Sequence, residues 1–186
     1  MKTDPRSRYT QSVIENAFLT LIREKKKLSG VTVSDICKIA EINRGTFYRY
    51  YLDVYDLAEK LMDQGIEQVR EMIANEGGQS YTEVFSGVLR VFQKDRAFFS
   101  MLMSNAFGEQ GVNKYIQKLF TVCFEQLHTS IPGADVNEQV RLFSYITGGS
   151  GALIEYWLLS DNGESPEEIA GQIGKYAEIL INNSGT

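Results

Sequence analysis

The sequence predicts an all-α protein, and three observations carry that expectation. Apolar residues recur at three- to four-residue spacing along nearly the whole chain, which is the period of a helix face and not of a strand. Prolines stand only at positions 5, 132 and 166, so long stretches lack the residue that most strongly breaks helices. Glycine or proline falls near most interruptions of the period, as at Gly77-Gly78 and Pro166, so punctuation and pattern agree.

Val13, Ile14, Ala17, Phe18, Leu21 and Ile22 form one stripe of a first helix, which runs into an exposed segment at 24–27 and stops near Ser29-Gly30. Thr32 then caps a short second helix: a carboxylate follows three residues later at Asp35, and Val33, Ile36, Cys37 and Ala40 are its expected buried positions. Glu41-Ile42-Asn43 leaves room only for a tight turn. Asn43 caps a third helix over 44–51, with Ile42 and Phe47 at the two positions of a hydrophobic staple. Two short helices about a tight turn is the helix-turn-helix pattern.

Asp53 caps a fourth helix over 54–75, with Leu57, Leu61, Ile66 and Val69 near one face, and Gly77-Gly78 ends it. Further helical segments are expected at 80–94, 96–106, 112–130, 136–160 and 166–182. The last opens with Ser165 as N-cap, Pro166 at the first helical position and Glu167-Glu168 in the first turn. No internal repeat or low-complexity tract interrupts the series.

Composition bounds the function. A chain of 186 residues with 43% hydrophobic content can bury one sizeable core, or a small module of about 50 residues docked on a helical body. Cys37 and Cys123 lie far apart within apolar patterns, so neither a disulfide framework nor a clustered-cysteine metal site is expected; reduced thiols point to the cytoplasm. Residues 1–10 have no apolar core of a secretory signal. The least polar stretch, 142–159, carries Glu155 and three glycines, too little for a membrane span. The net charge of −5 is uneven: residues 1–60 hold 11 Lys/Arg against 8 Asp/Glu (+3), the remainder 8 against 16 (−8). A basic head on an acidic body suits a protein that presents one end to phosphate.

The third helix reads Arg44-Gly45-Thr46-Phe47-Tyr48-Arg49-Tyr50-Tyr51. Phe47 and Tyr51, four apart, face the module core, which leaves Arg44, Thr46, Tyr48, Arg49 and Tyr50 outward. Arginine can bridge guanine O6 and N7 or grip phosphate, and tyrosine and threonine hydroxyls bond phosphate oxygens. Gly45 would let the helix start approach a nucleic-acid backbone closely.

The runs Val31-Thr32-Val33-Ser34-Asp35-Ile36, Ala40-Glu41-Ile42-Asn43-Arg44-Gly45-Thr46-Phe47-Tyr48-Arg49-Tyr50-Tyr51 and Asp56-Leu57 resemble the DNA-binding signature of the TetR family of transcriptional regulators. The resemblance covers about the first 60 residues. It implies a homodimer whose two third helices enter major grooves and read two half-sites of a near-palindromic operator in double-stranded DNA. It also implies a phosphate contact from Thr32 and makes Thr32, Asn43, Arg44, Gly45, Thr46, Tyr48, Arg49 and Tyr50 the DNA-binding set. Val54 departs from the pattern, standing where lysine is common. Tyr50 and Tyr51 replace a common histidine and phenylalanine.

The implied architecture is an N-terminal three-helix helix-turn-helix DNA-binding module (1–53), a linking helix (54–76), and a helical ligand-binding and dimerisation domain (80–186). In many family members the last two helices pair with their symmetry mates as a four-helix interface. The resemblance puts Gly148, Gly149, Gly151, Ala152, Trp157, Ile169, Ile173 and Tyr176 there. The glycines by themselves imply a close helix contact or a kink, since each costs about 1 kcal/mol in a helix relative to alanine. A phosphate-cradling loop is the poorer reading: no GxGxxG is completed, no Lys-Ser/Thr pair follows and no strand precedes.

Phe98, Phe99, Met101, Leu102, Met103, Phe107, Tyr115, Phe120, Phe124 and Tyr145 enrich the middle of the chain in methionine and aromatics. The bland reading is ordinary core. The resemblance puts an effector pocket among them, and Phe98, Met101, Leu102, Phe107, Tyr115, Phe120, Phe124 and Tyr145 are its candidate lining for a small apolar or aromatic molecule. His128 is the sole histidine, expected at the surface or a helix end, which excludes a multi-histidine metal site. No catalytic constellation is visible, so neither an enzyme nor a cofactor is expected. The expected function is a DNA-binding repressor released by an effector; the alternative is a regulator or co-activator whose C-terminal domain binds a protein instead.

Overall fold

The computed structural model describes residues 4–76, 80–103, 118–119, 121–123, 135–160 and 163–183. Among them there is no strand, and no helix is long and apolar enough to cross a membrane. Helix α1 (Pro5–Lys25) starts well before its apolar stripe because Asp4 accepts the Arg6 N–H and Pro5 needs no partner at the first helical position. It ends at Lys26 in the left-handed conformation (φ 52°), and a 3₁₀ turn follows at Leu28–Gly30.

Helix α2 (Val33–Ile39) carries the expected capping box: Thr32 Oγ1 accepts the Asp35 N–H at 3.2 Å and Asp35 Oδ2 accepts the Thr32 N–H at 3.3 Å. Its C-terminus closes as a Schellman turn, with the Ile42 N–H on Cys37 O at 3.1 Å and Glu41 in the left-handed position at φ 52°. Of the four expected buried positions Ile36, Cys37 and Ala40 are buried, while Val33 is half-buried.

Helix α3 (Arg44–Tyr48) is shorter than the expected 44–51. The Tyr50 and Tyr51 N–H groups both reach Phe47 O, so the chain tightens and leaves the helix after Tyr48. Phe47 and Tyr51 nevertheless point inward, at 0% and 2% exposure. Helix α4 (Val54–Glu76) starts where Asp53 Oδ1 accepts the Tyr55 and Asp56 N–H groups, each at 2.8 Å.

Then come α5 (Tyr81–Lys94), α6 (Arg96–Met103), α7 (Val136–Leu159) and α8 (Pro166–Asn182). Ser80 with Glu83 and Ser165 with Glu168 form capping boxes on α5 and α8, and Asp135 caps α7. The Ser165 N–H and hydroxyl bonds hold the Glu168 carboxyl below the usual carboxylate range. Most of the segment expected helical at 112–130, with Tyr115, Phe120, Phe124 and His128, lies outside the described residues, as does Phe107; 118–119 and 121–123 are helical.

The chain forms two compact units, Met1–Gln64 with Ala97–Val112, and Gly65–Arg96 with Asn113–Thr186. The first buries Ile14, Phe18, Leu21, Ile36, Phe47 and Leu57, and the Phe98 ring meets Phe18 edge-on at 6.0 Å. Each such side chain removed from water contributes about 1.5–3 kcal/mol. The Tyr51 hydroxyl donates to Glu15 Oε1 at 2.9 Å, and Gln64 Nε2 donates to the same oxygen at 3.0 Å, which ties α1, α4 and the segment after α3 together. Burial first, and then the Glu15 charge, push the Tyr51 phenol far above its ordinary range.

In the second unit α5 packs along α8, and α7 along α8. Gly174 permits the first contact: a Cβ there would lie 1.9 Å from Thr82 Oγ1. Arg96 closes the C-terminus of α7, stacking 4.5 Å from the Trp157 ring centroid and donating to the carbonyls of Trp157 and Ser160. The Trp157 indole donates to Glu164 O at 2.8 Å. Cys123 is buried here, which pushes its thiol up to about 12, and Cys37 is buried in the other unit; both are free.

Candidate nucleic-acid interface

The expected DNA-reading residues gather about the turn joining α2 to α3, where local hydrogen bonds hold most of them. Asn43 Oδ1 accepts both the N–H of Thr46, at 2.8 Å, and its hydroxyl, at 3.1 Å. Thr46 is therefore half-buried and its donor is already used. Gly45 has a nearer reason than close approach of nucleic acid: a Cβ there would stand 3.2 Å from Asn43 Oδ1 and crowd the cap. Thr32 is exposed beside its own capping box.

Two arginines differ in how they are held. Arg44 Nη2 donates to Ser34 Oγ at 2.5 Å, so its guanidinium is carried back over α2. Arg49 is exposed just past α3 and pairs with no carboxylate among the described residues. Tyr48 is 54% exposed with its ring edge-on to Phe47, whereas Tyr50 is half-buried against Tyr51. The surface thus offers two cations and one prominent phenol, with no carboxylate from α3 itself, which suits phosphate and base edges.

Asp35 links the module to the basic end of α1. Lys25 Nζ donates to Asp35 Oδ2 at 2.8 Å and to Gly30 O at 2.7 Å. The lysine bond, with the Thr32 bonds, holds the Asp35 carboxyl below its ordinary range. Val54 is buried at 7% exposure, so the start of α4 carries an apolar plug where the family pattern has lysine. Lys60 instead lies near the end of α3: it donates to Tyr50 O and Asp56 Oδ2, each at 2.9 Å, and its ammonium is 5.1 Å from the Tyr51 ring centroid. Burial pushes the Asp56 carboxyl up, but the Leu52 N–H and Lys60 outweigh it and hold it below the usual range.

Ser34, Lys60 and Glu41 escaped the sequence reading. Ser34 and Lys60 are joined to their partners across ten residues, which no cap motif announces. The left-handed Glu41 could have been suspected, since a two-helix turn this tight normally has glycine at that position.

Of the candidate effector residues, Phe107, Tyr115, Phe120 and Phe124 lie outside the described residues. Phe98, Met101 and Leu102 are buried within the first unit, while Tyr145, in the second, is 70% exposed. Among the described residues an apolar groove of about 390 Å³ runs between α7 and α8, and its walls include Tyr145, Gly149, Leu153, Ile173, Tyr176 and Leu180. It joins one expected effector residue to three expected interface residues. Trp157 and Ile169 lie in the unit's own core, Gly151 is half-buried, and Gly148 and Ala152 are exposed. Helix α7 runs through the glycines without interruption, and the Cβ positions of Gly148 and Gly149 are open within the protomer.

Two short capped helices about a tight turn, with arginines and a phenol on the outer face, define a helix-turn-helix transcriptional regulator. Residues 79–178 match the TetR-type family model described as the transcriptional regulator C-terminal region, and the chain belongs to the TetR family of transcriptional regulators. It is 24% identical over 178 residues to YxbF of Bacillus subtilis (strain 168), named an uncharacterized HTH-type transcriptional regulator. That match takes in 91% of this chain and 45% of the relative, so the chain spans under half its length. The fold is similar to the dihydroxyacetone kinase operon activator DhaS (TM-score 0.74, 17% identity, 93% of this chain and 96% of that one). It is also similar to a TetR regulator from Rhodococcus sp. RHA1 (TM-score 0.60, 17% identity, 96% and 97%).

Proposed function

We propose that the protein is a repressor that binds a near-palindromic operator as a homodimer and leaves it when a small apolar or aromatic effector binds. The observation that carries this reading is the pre-arranged polar face of residues 32–50, where caps and cross-helix bonds hold Thr32, Asn43 and Arg44 and leave Arg49 and Tyr48 free to reach a major groove. Residues 1–53 serve as the DNA-binding domain, 54–76 as the linking helix, and 80–186 as the effector-binding and dimerisation domain.

A second copy of the chain covers α7 and α8. Tyr145, Tyr156 and Leu159, which share one side of α7, and Tyr176 and Ile179 on α8 are large apolar residues left at least 49% exposed, and such a grouping marks an interaction surface. The open Gly148 and Gly149 let the partner helix come close. Effector binding in the 80–186 domain then alters the separation of the two recognition helices, so they no longer span successive grooves. Solved relatives carry both signs in their names, DhaS as an operon activator and AlkX of Dietzia sp. strain DQ12-45-1b as a repressor. We adopt the repressor because occupying an operator is enough for it, whereas activation needs a further surface for the transcription machinery.

Selection of bound duplexes from a random pool tests the reading. The expected product is a near-palindrome whose half-site centres lie about 34–36 Å apart or at a multiple of that. A pool that stays unselected, or yields one isolated half-site, contradicts it.

A further inference from the structure

We propose that Ser34 is a positioning residue for DNA recognition: it holds the Arg44 guanidinium in the orientation used to read a base. The inference rests on the DNA-binding reading above and adds a residue to it. Arg44 occupies the first position of α3 and Ser34 the second position of α2, so the 2.5 Å bond from Nη2 to Oγ spans the turn between the two helices. Both ends of that bond are anchored. Ser34 lies inside the first turn of a helix locked by the Thr32–Asp35 capping box and by Lys25 on Asp35. Arg44 follows Asn43, whose side chain caps α3.

A free arginine on an exposed helix start samples many rotamers, and selecting one costs affinity at the moment of binding. The guanidinium is planar, so holding one of its nitrogens limits the orientation of the whole fork. One of its five N–H groups goes to Ser34, and the others remain for guanine O6 and N7 or for phosphate. Both residues are exposed, so the bond adds nothing to a buried core. Its effect falls on recognition.

The test uses the full-length protein, the duplex that it selects and a scrambled duplex of the same length, with wild type, Ser34→Ala, Ser34→Thr, Arg44→Ala and the Ser34→Ala/Arg44→Ala pair. Ser34→Ala is expected to weaken the selected duplex by about twofold to tenfold, to leave the scrambled duplex and the unfolding midpoint unchanged, and to be rescued by Ser34→Thr. In the Arg44→Ala background Ser34→Ala should cost nothing further, because its route to DNA is gone. If Ser34→Ala binds as well as wild type or tighter, the bond is idle or a parked state that DNA must break, and the proposal is overturned. A loss that persists undiminished in the Arg44→Ala background overturns it too, since Ser34 then touches DNA itself. Failure of the wider reading is distinct: wild type then prefers no duplex before any variant is made, and both proposals fall.

Discussion

The surface of residues 32–50 and the outer face of α7 and α8 are built on opposite plans. In the first, polar groups are exposed and most are held at one end by a short local bond, as Thr46 is by Asn43 and Arg44 by Ser34. In the second, rings and aliphatic chains such as Tyr145, Tyr156 and Ile179 stand exposed on regular helices. Under the proposed function, the contrast follows from what each surface would have to do. A donor that reads a base edge must be in place beforehand, because a misplaced polar group loses its water without gaining a partner. An apolar interface needs only area and shape, which the partner completes.

The strongest way to break that comparison is to obstruct the apolar face without disturbing the fold. Gly149→Trp puts a large ring where the protomer leaves open space, so helical content should persist while sedimentation shifts from dimer to monomer. A dimer constant weakened less than about tenfold, near 1.4 kcal/mol, would place the interface elsewhere. Caps probe both regions equally. Thr32→Ala and Ser165→Ala each remove an N-cap bond and should each cost about 0.5–2 kcal/mol in urea unfolding, but Thr32→Ala alone should also weaken DNA binding.

Glu41 sharpens the comparison at the turn itself. Its left-handed backbone costs about 1–2 kcal/mol, and glycine gives back part of that through a looser unfolded chain, so Glu41→Gly should stabilise by about 0.5–1 kcal/mol in denaturant unfolding. The smallest expected effect is acid sensitivity. Asp35 and Asp56 have lowered folded values, so their contribution is present above the ordinary carboxylate value of about 4 and is lost as pH falls through the lowered folded values. Asp35→Asn should lower stability at neutral pH and flatten the decline below about pH 4 in a thermal-melt series; an unchanged slope would remove Asp35 from the account.

How much was legible in the sequence follows the same division. The module announced itself because Thr32 with Asp35, Asn43 and Asp53 are caps whose spacing has a local physical cause, and the apolar period located α4, α5, α7 and α8 to within a residue or so. The early end of α3 was hidden, because no glycine or proline stands at 49–51 and the break comes from two N–H groups sharing Phe47 O. Ser34 with Arg44, and Lys60 with Tyr50, depend on how separate segments approach. In the C-terminal region the apolar stripe was visible, but whether Ile173 or Tyr145 meets core, ligand or a second copy is decided by burial. Methionine and aromatic composition is the same in all three.

A mobility shift at two salt concentrations, comparing wild type with Arg44→Ala/Arg49→Ala on the selected duplex, decides whether the two arginines about α3 read DNA. Wild type should bind in a salt-sensitive way, and the variant should be weaker by about 1–3 kcal/mol for each arginine that reads a base, with an unchanged dimer and melting temperature. Equal binding by the two proteins at matched salt would contradict it and move DNA recognition away from α3.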